Sequence, residues 1–578
     1  LVTVFASGVS EASGQAFYKF ALFLGLQADL IVLDEGRLCD GPYGREPAPP
    51  TQMLAFSQAV LISVFQKEWF RALLDQTELV FIYGFAPSNA ECHELKETTA
   101  GAFASVSIVN SLQRSFKIHA DVTHGKFPVS GLSYEAGQGA TAVFGEHSTR
   151  SGVETYITVN GRPHFVSVAR GKSQVFLLAV QDLVDIDTVL DPGEDSLRPW
   201  YAQLIALSIA LRIVGGPWCW SSPFTPANFI VDDPYLRGRY GFIKYEALMK
   251  ALQEVRGALT VAFIPYNYRR STPKTVDLLL HNTRQFSIAV HGCDHTGGEY
   301  ANMNEDWLTS TTGCALDRME EHSRRTAMPF DNVMVFPQGR FSTKALRALE
   351  SCGIGAAVNS SAWPSDYDGS LLTIRDLLQV AVTRYENYPI FVRRYPRDVF
   401  DFAFDALFQK PILAVEHHNF FRDGYGPLKQ FMCDLSSIKA NLMWMPLGLA
   451  VASSCNLRKT GARQYTVRHF FIEFHFKNPT SEDLHLNLEK PEGGRSVDSV
   501  LVNGSNVPFE STPGSLRYQA ELSAGANLNV IVVYRKEHRA RRKSSWKYRL
   551  SVSTRRLLCD FRDNYLDRAR QVLRMTEG

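Results

Sequence analysis

These 578 residues carry no strong net charge, no paired-cysteine motif and no long uninterrupted apolar run. Lysine and arginine number 61 against 59 aspartates and glutamates, a net charge of +2, so no overall field points to nucleic acid as a partner. The nine cysteines are odd in number and scattered, without a Cys-x-x-Cys pair. That pattern disfavours a disulfide framework and fits reduced thiols. The longest apolar run near a helix, Leu204–Gly216, is interrupted by Arg212 and is too short to span a bilayer, so no transmembrane segment is expected. No basic start with a small-residue cleavage site is seen, which makes a cytoplasmic location the expectation and export the alternative if a segment precedes Leu1. Two other patterns lack what their chemistry needs. Cys92 has no strand–Gly–Cys–Gly elbow to strain and expose it, so it reads as an ordinary thiol. Gly137-Gln138-Gly139-Ala140 does not open a helix after a strand and reads as a turn, not a phosphate cradle.

What is present is an alternation of strands and helices long enough for about three domains. Residues 1–214 predict an open, mostly parallel α/β sheet of amidotransferase-like or flavodoxin-like type, from strands at Leu1–Ala6, Ala28–Leu33 and Glu78–Tyr83 and a helix over Glu11–Leu26. Strands at Tyr156–Val159, Phe165–Ala169 and Gln174–Val180 finish that domain antiparallel, and Leu197–Val214 predicts a helix leading out. Gly215–Pro226 reads as a linker. Residues 227–455 repeat strand and helix, with strands at Phe229–Val231, Leu259–Ile264, Phe286–Val290, Val333–Phe336, Ala356–Asn359, Ile390–Arg393 and Ile412–Val415; this predicts a (β/α) barrel. Residues 460–540 change to short alternating strands, among them a single run over Tyr465–Phe476, and predict a small β-sandwich. With no exposed aromatic stripe, it is expected to cap the barrel, with glycan binding as the other reading. Residues 541–578 combine a basic linker with a terminal helix. Arg539, Arg541, Arg542 and Lys543 could touch an anionic membrane surface or polymer, or simply be solvated, while Leu558, Phe561, Tyr565, Ala569 and Val572 form an apolar stripe expected to pack on the protein or on a second chain.

Chemistry gathers at strand ends in the barrel. Phe229-Ile230-Val231 runs into Asp232-Asp233-Pro234, where the proline stops the ladder. Two adjacent carboxylates are costly there unless a divalent metal holds one and leaves the other as a base. Phe286–Val290 runs into His291-Gly-Cys-Asp-His295. Asp-Pro alone is a common turn, and His-x-x-x-His alone is a common helix face. Placed together at strand ends they make a three-ligand catalytic zinc site with a fourth position for water. Arg393, Arg394, Tyr395 and Arg397 form a basic aromatic cluster, read either as a solvated loop or as a contact for an anionic glycan.

Over residues 227–455 this set resembles the NodB-homology polysaccharide deacetylases, the family-four carbohydrate esterases. The resemblance implies Asp232 as general base, with Asp233, His291 and His295 as ligands of a divalent metal ion, Zn²⁺ being expected. It implies His417, in Leu413-Ala414-Val415-Glu416-His417-His418, as general acid, with His418 beside it as second candidate. It points to Gln338, in Val335-Phe336-Pro337-Gln338-Gly339, for the oxyanion N–H. Val335 stands where the family has an arginine that orients the base; Arg340 and Arg375 are candidates to replace it and, with His418, to contact substrate. The family's Asp-Trp motif has no convincing counterpart, since Asp306-Trp307 precedes the third motif and reads as a helix start. The implied activity is metal-dependent removal of N-acetyl groups from a saccharide or polysaccharide. The alternative is a non-catalytic glycan-binding or scaffolding protein that retains the fold.

Overall fold

The computed structural model describes residues 2–8, 11–33, 51–86, 92–145, 152–366, 371–438, 441–493, 495–535 and 545–566. The basic cluster Arg539–Lys543 and the helix positions Ala569 and Val572 lie outside the described residues. The chain divides into two compact units: Leu1–Leu190 with Ser196–Ser221 and Thr373–Arg375, and Asp191–Asp195 with Ser222–Leu372 and Asp376–Gly578.

The first unit is built on a nine-stranded mixed sheet. Ala28–Val32, Val2–Ala6, Met53–Ser57, Leu79–Tyr83 and Ser173–Leu178 pair parallel in that order. Arg162–Arg170, Val153–Val159, Arg114–Ile118 and Ser133–Ala136 continue it antiparallel. The antiparallel share is larger than the sequence suggested. Arg114–Ile118 and Ser133–Ala136 are short and half exposed, so neither carries the long apolar run that flags a buried strand. Gly137 and Gln138 lead into the strand Gly139–Phe144, which pairs antiparallel with Val106–Ser111, so Gly139 and Ala140 of the expected turn are strand residues.

The second unit holds the barrel. Ile390–Val392, Ala356–Asn359, Asp331–Val335, Phe286–Val290, Leu259–Phe263, Thr225–Asp232 and Ile412–Glu416 are neighbours in that order, all parallel. Arg394 closes the ring: its N–H donates to the Leu413 carbonyl and its carbonyl accepts from Val415, at 2.8 and 2.9 Å. The strands are buried on both faces and therefore read as continuous β-branched runs. Helices between them are capped as their sequences dictate. Asn304 caps Glu305–Thr326, so Asp306-Trp307 forms that helix's first turn, and Ser342 caps Thr343–Ser351, with Gly353 left-handed just past its end.

Both ends of the barrel are covered from the C-terminal part of the chain. The sandwich has a five-stranded and a four-stranded sheet. The run predicted as one strand over Tyr465–Phe476 is two strands in different sheets, Gln464–His469 and Glu473–Lys477. Between them, Phe470 and Phe471 enter the barrel core beside Leu447 and Val451. Continuous hydrophobicity concealed this break, because the two phenylalanines are buried in a neighbouring core and not in the sandwich's own. The terminal helix Trp546–Phe561, continued by a π-turn over Arg562–Leu566, crosses the opposite end, where the strands terminate. Its apolar stripe does not pack inward: Leu558, Phe561 and Tyr565 are 65, 52 and 65% exposed. It is held by its polar face instead. Tyr548 donates to Asp294, Ser553 meets Tyr266 and Asp560 pairs with Arg270.

Candidate metal centre

Asp232 is the last residue of its strand, and Asp233 follows it with φ +83°. His295 and Gln338 also sit in the left-handed region, at φ +55° and +59°. Three non-glycine residues held there at one end of one barrel mark a site where the surroundings over-determine the backbone. Asp233, His291 and His295 each offer a ligand atom, all within 4.8 Å of one another. Asp233 Oδ1 lies 3.2 Å from His295 Nε2 and 3.6 Å from His291 Nε2. His291 is buried, and its Nδ1 lies 2.9 Å from the Val335 carbonyl. Donation there fixes the tautomer and leaves Nε2 as a lone-pair donor.

These residues fit a divalent cation. Asp233 Oδ1 is buried with no hydrogen-bond partner among the described residues, an expensive arrangement for a carboxylate unless a cation takes that oxygen. One carboxylate and two imidazoles form a three-ligand set that leaves coordination open. Burial opposes ionisation of Asp233, but His295 and His291 outweigh it and hold the carboxyl well below its ordinary value. Burial pushes His295 down to about 4, so it is neutral and able to ligate at pH 7.

Asp232 is 3% exposed and bidentate with Arg393, Nη1 to Oδ1 at 2.7 Å and Nη2 to Oδ2 at 2.8 Å. Burial pushes its carboxyl up; Arg393, His291 and His417 outweigh that and keep it below the ordinary carboxylate value. Arg393 therefore holds Asp232 where Val335 cannot. This corrects the expectation for Arg340 and Arg375. Arg340 is exposed, near the loop at Gly298, and Arg375 pairs with Asp187 at 2.6 Å inside the first unit. It also corrects the reading of the basic cluster, since Arg393 is buried on Asp232 and Arg394 bonds Asp405.

His417 ends the strand Ile412–Glu416, half-buried, close enough for its charge to act on both aspartates. His418 is engaged elsewhere: its ring packs against Tyr240 and Phe242, and Nε2 faces Asp563 at 3.7 Å. Gln338 occupies the turn Pro337–Gly339, and its side chain accepts from the Gly298 N–H at 2.8 Å. Asn359 donates to the Gly339 carbonyl at 3.0 Å and steadies the same turn.

Sequence reasoning missed Glu299. Its buried carboxylate accepts from the backbone N–H groups of Cys293, Asp294 and His295 at 3.0, 2.9 and 3.2 Å, and so shapes the His loop. Gly292, at φ +66°, lies against it; a Cβ there would stand 2.7 Å from Glu299 Oε2. Asp294 is meanwhile held by Arg318 at 2.7 Å. The terminal helix was expected, but its contacts beside the site were not. Asp563 accepts from the Tyr240 hydroxyl at 2.7 Å, Asn564 accepts from the Gly241 N–H at 2.9 Å, and the Asp233 charge reaches Tyr240. No local signal could have linked residues over 320 positions apart.

No family model matches the sequence, and no curated protein matches it. Among solved structures the chain is similar to Agd3, described as a novel carbohydrate deacetylase, with TM-score 0.48, 9% identity, and 92% of this chain and 99% of that one covered. It is similar to a family 4 carbohydrate esterase from Streptomyces lividans, with TM-score 0.24, 10% identity, and 38% and 91% covered. It is also similar to a family pseudoenzyme from Bacillus anthracis, with TM-score 0.24, 7% identity, and 38% and 63% covered.

Proposed function

We propose that the barrel is a metal-dependent hydrolase that removes N-acetyl groups from a saccharide or polysaccharide. The observation that carries this reading is the juxtaposition of the Asp233–His291–His295 set, with the Asp233 Oδ1 buried and unpartnered among the described residues, and a second carboxylate, Asp232, clamped by Arg393. A divalent cation, Zn²⁺ by the ligand set, would polarise the acetyl carbonyl and acidify a water at Asp233, His291 and His295. Asp232, ionised, takes the proton of the attacking water. As the carbon–oxygen bond forms, the Gln338 N–H donates to the developing oxyanion, a contribution of about 3–4 kcal/mol for such donors. His417 gives a proton to the amide nitrogen as the carbon–nitrogen bond breaks, leaving acetate and a free amine. Arg393 keeps Asp232 oriented and charged.

A second reading, glycan binding without turnover, is favoured by one observation: both oxygens of Asp232 already accept from Arg393. A carboxylate has four acceptor sites, so room remains for a water. The test is metal content and acetate release on one set of preparations. About one ion per chain, lost in Asp233→Ala and His291→Ala, together with Asp232→Asn that keeps the metal and releases no acetate, supports the hydrolase. A metal-loaded wild-type chain inert on every acetylated saccharide leaves the binding reading.

A further inference from the structure

The terminal helix leaves a groove of about 660 Å³ between itself and the loop that follows Asp233. Its walls bring together three arginines and exposed aromatic rings. Arg237 and Arg239 are exposed in the loop, and Arg270 comes from the neighbouring loop. The guanidiniums of Arg237 and Arg270 lie over the Tyr235 ring at 5.3 and 4.5 Å. Across the groove, Phe561 and Tyr565 stack on each other with centroids 5.6 Å apart, and both are more than half exposed. Among the described residues the lining has one carboxylate, Asp560, which Arg270 engages. Three cations against one anion leave this described lining net positive.

We propose that this groove binds a polysaccharide that carries carboxylates. The inference rests on the deacetylase reading for its acetylated substrate. Three observations carry it. The charge of the walls is complementary to an acidic chain, and planar guanidinium forks match carboxylates bidentately. The stacked rings of Phe561 and Tyr565 present flat apolar faces of the kind that pack against the C–H face of a sugar ring. The groove also shares its supports with the site. Tyr235 is two residues from the ligand Asp233, and Asp563, on the same turn as Phe561 and Tyr565, bonds the Tyr240 hydroxyl that the Asp233 charge reaches. The exposed aromatic face of the helix, otherwise an uncovered apolar surface, thereby becomes one wall of a binding cleft.

The test uses the full, metal-loaded chain and two acetylated probes: a hyaluronan octamer, which carries carboxylates, and a chitin octamer, which does not. Hyaluronan is expected to bind about tenfold tighter, with an affinity that falls as salt rises. Arg237→Gln with Arg239→Gln should abolish that preference by weakening hyaluronan, while Tyr565→Ala should weaken both. Equal affinity for the two probes, or a preference intact in the double variant, overturns the proposal. So does preferential binding to anionic lipid vesicles, or a dimer that Phe561→Ala dissolves, which would give this face to a membrane or to a second copy. Acetate release measured on the same samples separates the two readings. Preference without turnover on any acetylated sugar removes the hydrolase and leaves the groove; turnover without preference removes the groove and leaves the hydrolase.

Discussion

Arg393 and Asp232 face each other with both members buried, at 3% exposure each, so their bond is sensitive to loss of either partner. Removing the guanidinium would leave a buried carboxylate without its hydrogen-bonded counter-charge. Arg393→Ala is expected to lower stability by about 3–5 kcal/mol and to abolish acetate release, read by denaturant midpoint and turnover. Arg393→Lys keeps the charge but not the fork, and should fall between wild type and alanine on both measures. If Arg393→Ala matched wild type in stability, the ion pair described here would not exist in solution.

Among the elements, the loop His291–Glu299 owes its shape to Glu299 and not to its own propensity. Three N–H groups converge on that carboxylate, and they set the backbone that carries both histidines. Glu299→Gln loses the charge and part of the acceptor capacity. Metal affinity should drop by roughly 10–100-fold with the barrel intact, as competition with a chelator of known affinity would reveal; unchanged affinity would make Glu299 a spectator. The terminal helix depends largely on polar anchors, since Leu558, Phe561 and Tyr565 point outward while Val552 is buried. Asp563→Ala removes the bond to Tyr240 and the charge facing His418. Hydrogen exchange should then accelerate over 546–566 and leave the barrel strands protected; acceleration throughout the barrel would show that the helix is integral to its stability.

At the scale of the whole molecule, metal and pH report on different units. A cation that binds only the folded second unit adds about 2.7 kcal/mol at a hundredfold excess over its dissociation constant, so chelation should lower that unit's unfolding temperature. In the first unit, His164 is buried, with Nδ1 2.8 Å from the Ala142 carbonyl, and burial pushes it down to about 4. Its folded value lies below its unfolded one near 6.5, so the neutral form is favoured by folding. The stability is fully present above about pH 6.5 and is lost as pH falls toward 4, roughly 3 kcal/mol by linkage. Exchange protection of Arg162–Arg170 should decline across that window, and His164→Gln, which keeps an N–H donor, should flatten the decline.

The chain of residues 225–416 was legible because its signals are local. Seven apolar runs mark the strands, and polar residues at their ends mark the mouth; Asp232, Asp233, His291 and His295 could be picked out as candidates from two short stretches. Where the sequence misled, the deciding contact was remote. Arg393 looked like a surface cation because nothing nearby in the chain tells that the barrel closes beside it and turns its fork onto Asp232, 161 residues away. Phe470 and Phe471 looked like the middle of one strand because hydrophobicity does not state which core will take it. Leu558, Phe561 and Tyr565 looked like an inward stripe, yet the polar side of that helix found partners in the loops around the metal ligands and the apolar side was left outside. Strands, helices and candidate ligands follow from periodicity and side-chain chemistry, which the sequence holds by itself. Which charge is neutralised, which loop is braced and which face is wetted depend on barrel closure and on the packing of the terminal helix, because those are energies of contact between residues that only the folded chain brings together.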